Sequence, residues 1–113
     1  MHEMSLAQNV VQIIEGAAVR EAFGRVRTVW LEIGRLSCVE PEAMRACFEA
    51  AAHETPADGA ALEIVEVAGR GRCPACGAQC ALEARDDACP ACGGYGLEVL
   101  AGTELRVREL EVE

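Results

Sequence analysis

Apolar residues recur at two different spacings along the chain, and these spacings predict its helices and strands. From Ser5 to about Arg20 the apolar side chains recur at helical spacing, and Gly24 follows as a stop signal. Val26 to Ile33 is rich in β-branched residues and has apolar side chains on both faces. The pattern therefore predicts a first helix, followed by a strand covered on both sides.

A second helix is predicted after this strand. Glu40-Pro41-Glu42 is typical of a helix start, because proline suits the first helical position and carboxylates suit the positive end of the helix dipole. Pro56 disfavours helical geometry at the residue before it, so the helix should end by then, and Asp58-Gly59 supplies a turn. The predicted apolar stripe of this helix consists of Met44, Cys47, Phe48 and Ala51.

Three further segments have strand-like composition. Leu62 to Val67 should lie parallel to the first strand, because strand–helix–strand successions favour a right-handed crossover. Gly69 and Gly71 then interrupt the pattern, which resumes at 97–100 and 104–112. We therefore predict an α+β fold, in which a small three-stranded mixed sheet is flanked by two helices. The predicted domains are an α/β domain at 1–68 plus 101–113 and an inserted cysteine-rich module at 69–100.

The charge of the chain excludes one broad class of partner. Its formal net charge is −9, and all ten basic residues are arginine. Nucleic-acid binding draws its energy from clustered basic side chains, so no nucleic-acid partner is expected. The first residues lack a basic signal region, and no apolar run is long enough to span a membrane, so we predict a cytoplasmic protein without a membrane partner. Seven cysteines in such a compartment are expected to be reduced.

Two copies of the motif C-P-A-C-G carry the clearest chemical signal. They are Cys73–Gly77 and Cys89–Gly93, with twelve residues between Cys76 and Cys89. Two residues between thiols let both sulfurs face one point, and two such turns complete a tetrahedral tetrathiolate. Cys73, Cys76, Cys89 and Cys92 are therefore predicted to hold a structural Zn(II), which makes the module a zinc ribbon.

Other interpretations of the cysteines stay open. Iron in a rubredoxin-like site uses the same four ligands, and a C-x-x-C pair alone is compatible with redox chemistry, although two copies favour a shared metal. Cys80 lies inside the module and either competes as a ligand or is a small packing residue. Cys38 and Cys47 are predicted to be buried apolar residues, because free cysteine is often buried.

The first three residues, Met1-His2-Glu3, form a second candidate site. The terminal amine, the amide nitrogen of His2 and its imidazole can close two adjacent chelate rings on one ion. Square-planar nitrogen ligation of this kind suits Ni(II) or Cu(II) and is foreign to zinc, and cytosolic copper is monovalent. Nickel is therefore the predicted ion. Acid should weaken its binding, because the amine and the imidazole must lose protons. An inert, frayed terminus is the alternative.

With these motifs, the chain resembles the HypA/HybF family of hydrogenase and urease nickel-insertion accessory proteins. The resemblance is carried by the MHEMSL start, the VWLEIGRLSCVEPEA passage and the two C-P-x-C knuckles, and it spans essentially the whole chain. It implies that Met1, His2 and Glu3 bind nickel, with His2 as the essential ligand and backbone nitrogens completing the site. It also implies zinc at Cys73, Cys76, Cys89 and Cys92.

The family resemblance further implies a metallochaperone that is not an enzyme. It would deliver Ni(II) to a hydrogenase large subunit, and in some relatives to urease, together with a GTPase partner. Glu3 and Glu40 are the carboxylates suspected near the nickel, while the further histidine that some relatives carry near the zinc is missing, since His53 is the only other histidine. The rivals are a zinc-ribbon interaction module without nickel transfer and a small enzyme. The chain is expected to be a monomer or a homodimer.

Overall fold

The computed structural model describes residues 2–113, so the nickel ligand predicted at Met1 lies outside the described residues. Two three-stranded sheets accompany two helices in this part of the chain, with strand orders β2-β1-β6 and β4-β3-β5. The predicted α+β fold class, with two helices, a small sheet and an inserted cysteine module, is confirmed. The elements are α1 (Glu3–Glu21), β1 (Val26–Gly34), α2 (Pro41–Ala51), β2 (Ala61–Val67), β3 (Gly69–Arg72), β4 (Gln79–Leu82), β5 (Glu98–Ala101) and β6 (Leu105–Val112).

The sheet formed by β2, β1 and β6 is mixed. The backbone N–H of Arg35, just after β1, donates to the carbonyl of Val67 at the end of β2, so the carboxyl ends of these strands meet and the strands are parallel. The N–H of Gly34 donates to the carbonyl of Glu104, which precedes β6, so β1 and β6 run antiparallel. The parallel pair follows the strand–helix–strand succession predicted from the sequence.

The described chain divides into two compact units. Unit 1 comprises Met1–Glu32, Val39–Val65 and Arg106–Glu113, and unit 2 comprises Ile33–Cys38 and Glu66–Leu105. The domains predicted at 1–68 plus 101–113 and at 69–100 stay a prediction. No helix among residues 2–113 is both long enough and apolar enough to cross a membrane.

Unit 1 is built around one face of α1. The helix ends at Ala22, which has a left-handed backbone (φ 56°) and donates its N–H to the carbonyl of Ala18. From α2, Met44 and Phe48 are buried as the predicted stripe requires, whereas Cys47 is half-buried. On β1, Thr28 and Trp30 are half-buried, so the second face of this strand is only partly covered. The fully buried apolar side chains of unit 1 include Ala7, Ile14, Val29, Leu31 and Met44.

Unit 2 contains two strands that the sequence pattern does not reveal. Gly69 and Gly71 belong to β3, which pairs antiparallel with β4 and β5. A Cβ atom at Gly69 would lie 2.3 Å from the carbonyl oxygen of Leu82, and one at Gly71 would lie 2.7 Å from a Leu82 methyl group. These glycines therefore allow close packing inside the strand, and the interruption that they cause in the sequence pattern does not interrupt the sheet.

The prediction that Cys38 is buried is also wrong. Cys38 is exposed and has a positive φ of 63°, because it lies in the connection between β1 and α2 rather than on the inner face of an element. Cys47 is half-buried on α2. A general tendency of cysteine to be buried does not decide the position of a residue in a connecting segment.

Candidate metal centres

The two cysteine knuckles of unit 2 have the same backbone geometry. In the first, the N–H of Gly77 donates to the carbonyl of Cys73 at 2.8 Å. In the second, the N–H of Gly93 donates to the carbonyl of Cys89 at 2.7 Å. Both glycines have positive φ, 75° and 76°, a conformation that other residues adopt only with strain. The two C-P-A-C-G motifs therefore form turns of the same backbone conformation.

These turns bring the four predicted ligand sulfurs together. The Sγ atoms of Cys73, Cys76, Cys89 and Cys92 all lie within 4.8 Å of one another. Cys73 Sγ and Cys92 Sγ are 3.6 Å apart, and Cys76 Sγ and Cys89 Sγ are 3.7 Å apart. Sulfurs bound at about 2.3 Å to a tetrahedral zinc ion lie about 3.8 Å from one another. The cluster therefore fits a metal ion such as zinc.

Backbone amides prepare this cluster for cation binding. The N–H groups of Cys76 and Ala75 lower the pKa of the Cys73 thiol to about 7, because they stabilise its thiolate. The Gly94 amide donates a hydrogen bond that lowers the pKa of Cys92. The other sulfurs outweigh this effect and raise that pKa to about 12, since a further negative charge is unfavourable beside them. A divalent cation supplies the positive charge that makes four adjacent thiolates compatible.

The buried part of unit 2 contains two of the four cluster cysteines, while Cys76 and Cys92 are exposed. Cys73 and Cys89 are almost fully buried together with Leu36, Leu82 and Leu97. Cys80 is half-buried and packs against this group, but its sulfur does not belong to the four-sulfur cluster. Among residues 2–113, no histidine joins the cluster either. The arrangement is thus a closed set of four sulfurs, which is typical of a structural site.

The described part of the predicted nickel site lies at the start of α1 in unit 1. His2 is exposed and immediately precedes the helix, and its side chain makes no capping hydrogen bond. The first hydrogen bond of the helix runs from the N–H of Leu6 to the carbonyl of His2, at 3.3 Å. The imidazole of His2 is thus accessible from solvent.

The two suspected residues are in contact beside this helix start, through the carboxylate of Glu3 and the backbone of Glu40, and their side chains have different roles. Glu3 is buried, and its Oε2 accepts the backbone N–H of Glu40 at 3.2 Å. The side chain of Glu40 instead caps α2, since its Oε2 accepts the N–H of Ala43 at 2.7 Å. Sequence reasoning singled out both residues but missed this contact. A carboxylate directly before Pro41 was the signal for the cap, and no pattern signals the link to Glu3.

The carboxylate of Glu3 is strongly stabilised in its charged form. The positively charged amino terminus is the largest cause and the amide of Glu40 the next, and together they lower the pKa of Glu3 to about 2. His53, the second histidine, lies elsewhere in unit 1, and its Nδ1 is 3.7 Å from a carboxylate oxygen of Asp58. It is exposed and, among the described residues, does not belong to the four-sulfur cluster.

Comparison with known proteins matches this chain to one family over nearly its full length. The family model described as "Hydrogenase/urease nickel incorporation, metallochaperone, hypA" matches residues 1–112. A relative from Rhodopseudomonas palustris (strain BisA53), named hydrogenase maturation factor HypA, is 57% identical over 113 residues and covers 100% of both chains. A relative of the same name from Azotobacter chroococcum mcd 1 is 55% identical over the same span.

Solved structures share the fold. The solution structure of the Ni metallochaperone HypA from Helicobacter pylori matches with a TM-score of 0.74 and 24% identity, covering 99% of this chain and 97% of that one. A second structure, described as the solution structure of HypA protein, matches with a TM-score of 0.72 at 24% identity, over 100% of this chain and 97% of the other. Their similarity supports the architecture described above.

Proposed function

This chain belongs to the HypA family of hydrogenase and urease nickel-incorporation metallochaperones, and from this premise we propose that it binds Ni(II) at its amino terminus and delivers it to a hydrogenase large subunit. The observation that carries the proposal is the exposed, uncapped His2 at the start of α1. The proposed nickel ligands are Met1, His2 and Glu3. The proposed ligands of a structural Zn(II) are Cys73, Cys76, Cys89 and Cys92.

The start of a helix suits this chemistry. The hydrogen-bond ladder of α1 begins with the N–H of Leu6, so it does not use the amide nitrogens of His2 and Glu3. Nickel can therefore take amide nitrogen donors there without breaking a helical hydrogen bond. A deprotonated amide is negatively charged, and negative charge is favoured at the positive end of the helix dipole. Amine, amide and imidazole nitrogens together form the planar set that Ni(II) favours.

The accessibility of the site suits transfer as well as capture. His2 is exposed, so an acceptor protein can replace the ligands one at a time without unfolding the chain. The net charge of −9 attracts divalent cations toward the surface. The four-sulfur cluster offers no such access at Cys73 and Cys89, which are buried. We therefore assign nickel to the terminus and zinc to the cluster.

The proposed partners follow from the family. Relatives that are 57% and 55% identical are named hydrogenase maturation factors, so the hydrogenase large subunit is the proposed acceptor, and urease is the second candidate that the family description includes. A GTPase accessory protein is the proposed partner in insertion. We place this delivery in the cytoplasm, where the thiols stay reduced. The protein would act as a monomer or a homodimer and without catalysis of its own.

Nickel titration of the untagged protein tests the proposal. His2→Ala, or an extension that blocks the terminal amine, should abolish specific Ni(II) binding in calorimetry, while zinc content and fold stay unchanged. His53→Ala is the matched control, because it removes the other exposed histidine and should leave nickel binding intact. Unchanged nickel affinity in His2→Ala would overturn the proposal and favour a zinc-ribbon interaction module without nickel transfer.

A further inference from the structure

The carboxylate of Glu3 occupies an unusual position for a charged group on a surface helix. Only 8% of the residue is exposed, although it is the first residue of α1. Charged side chains at helix starts normally remain in solvent, where they compensate the helix dipole. Burying a carboxylate is unfavourable unless its oxygens receive hydrogen bonds. The position of Glu3 therefore requires hydrogen bonds to its carboxylate, and the one from the Glu40 amide reaches a second helix.

That contact joins the starts of two helices. Glu3 Oε2 accepts the N–H of Glu40 at 3.2 Å, and Glu40 immediately precedes α2. The backbone of Glu40 is itself held in place, because its side chain accepts the N–H of Ala43 at 2.7 Å. One carboxylate thus ties the beginning of α1 to a fixed point of unit 1. The residue that it anchors comes directly after His2.

We propose that the side chain of Glu3 positions the amino terminus for nickel capture: its carboxylate binds the Glu40 amide and does not ligate the ion, while the backbone nitrogen of Glu3 stays available as a donor. This inference rests on the proposed function. Because residue 3 is anchored before nickel arrives, the residues that donate to the ion start from a fixed point of the chain. Ordering fewer residues costs less conformational entropy, so the anchored terminus binds nickel more tightly than a frayed one.

The chemistry of the donors agrees with this division of roles. Three nitrogen donors from the amine, the amide and the imidazole occupy three of the four positions in a planar Ni(II) site. The Oε2 atom of Glu3 already accepts the N–H of Glu40, and the Oε2 atom of Glu40 accepts the N–H of Ala43. These contacts hold the start of each helix, and we assign both side chains to that role.

Three variants of the untagged, zinc-loaded chain test the proposal. Glu3→Ala removes the acceptor, Glu3→Gln keeps an acceptor oxygen of the same reach, and Glu15→Ala changes an exposed glutamate on the same helix. In Glu3→Ala we expect nickel affinity to fall by about tenfold or more, as for loss of a charge-assisted hydrogen bond. The Glu40 amide should exchange faster in the same variant, and Glu3→Gln should recover much of both losses. Glu15→Ala should match the wild type.

The Ni(II) absorption band of the nickel-saturated protein shows whether the Glu3 carboxylate positions the terminus or ligates the ion. A positioning residue leaves the band of saturated Glu3→Ala unchanged, whereas loss of a carboxylate ligand shifts it, and a shift would overturn the proposal. Wild-type nickel affinity in folded Glu3→Ala would overturn it too. His2→Ala distinguishes the two failures, because it tests nickel binding itself. If Glu3→Ala does not fold, Glu3→Asp, which shortens the side chain by one methylene, takes its place in each measurement.

Discussion

The cysteine cluster and the amino terminus differ in how far apart along the chain their donors lie. Cys73 and Cys92 are nineteen residues apart, and yet their sulfurs are 3.6 Å from each other. The donors proposed for nickel come from neighbouring residues at the start of the chain. A site assembled from distant residues exists only in the folded state, so its metal contributes to folding. A chelate of adjacent residues forms and dissolves with little change elsewhere.

The cysteine cluster and the amino terminus also differ in their exposure to solvent. In the cluster, Cys73 and Cys89 are 0% and 2% exposed, although Cys76 and Cys92 are exposed, whereas His2 at the terminus is accessible to solvent. A site in which two ligands are buried retains its ion, because those ligands exchange only after local unfolding. An exposed site at a chain end exchanges its ion with other molecules. With the proposed ligands, one small protein would separate a metal that maintains its fold from a metal that it carries.

The largest expected effect comes from breaking the cluster. Cys73→Ser should reduce zinc to well under one ion per chain and unfold β3 and β4, since binding of a structural zinc contributes about 10–16 kcal/mol. Elemental analysis and the amide resonances of unit 2 measure the two effects. Cys80→Ser is the matched control, because Cys80 lies outside the four-sulfur cluster, and it should retain the zinc. Full zinc retention in Cys73→Ser would refute the tetrathiolate.

A second effect follows from the difference in access. When the protein loaded with both metals is exposed to rising concentrations of a chelator, nickel should leave completely at concentrations that do not change the zinc content. The reason is that the four sulfurs are assembled by folded turns, whereas the nickel donors are at an exposed end. Metal analysis after desalting measures both ions. Simultaneous loss of both metals would contradict the comparison.

Close packing in unit 2 supplies a smaller effect. In Gly69→Ala the new methyl group would lie 2.3 Å from the carbonyl oxygen of Leu82, so the backbone must shift. We expect the free energy of unfolding to fall by about 1–3 kcal/mol, which denaturant titration measures. Gly24→Ala is the control, since nothing lies within 4 Å of its new methyl group, and its stability should be unchanged or slightly higher. Equal stabilities of the two variants would show that the close approach is unimportant.

Most of the fold was predictable because its elements are long and periodic. The apolar repeat of α1 and the β-branched run of β1 each extend over several residues, so local pattern and tertiary packing agree. β3 and β4 are only four residues long, and β3 contains Gly69 and Gly71. These glycines interrupt the strand-like pattern of the sequence, whereas the backbone of a neighbouring strand leaves no room for a side chain at Gly69. Such a requirement depends on tertiary contacts that no local pattern contains.

The two candidate sites were predictable to different degrees for a related reason. Two residues separate Cys73 from Cys76, a spacing that lets both sulfurs bind one ion, and the second knuckle repeats this spacing. The metal-binding chemistry is therefore visible in the sequence. The hydrogen bond from Glu40 to Glu3 spans 37 residues and uses a backbone N–H, which leaves no mark on residue identity. The sequence therefore reveals the residues that can donate to a metal, but not the backbone hydrogen bond from Glu40 to Glu3.

The smallest expected effect tests whether Glu40 stabilises α2 or touches nickel. Glu40→Ala removes the carboxylate that accepts the Ala43 N–H, but it retains the backbone N–H that binds Glu3. Loss of such a helix cap costs about 1 kcal/mol, so the stability of unit 1 should fall by that amount while nickel affinity is retained. Glu42→Ala, which removes an exposed ion pair with Arg45 and an exposed carboxylate in the first turn but no cap, should cost less. A drop in nickel affinity with unchanged stability would instead show that the Glu40 carboxylate binds the ion. Glu40 would then be a nickel ligand, and its proposed role as a helix cap without contact to nickel would be wrong.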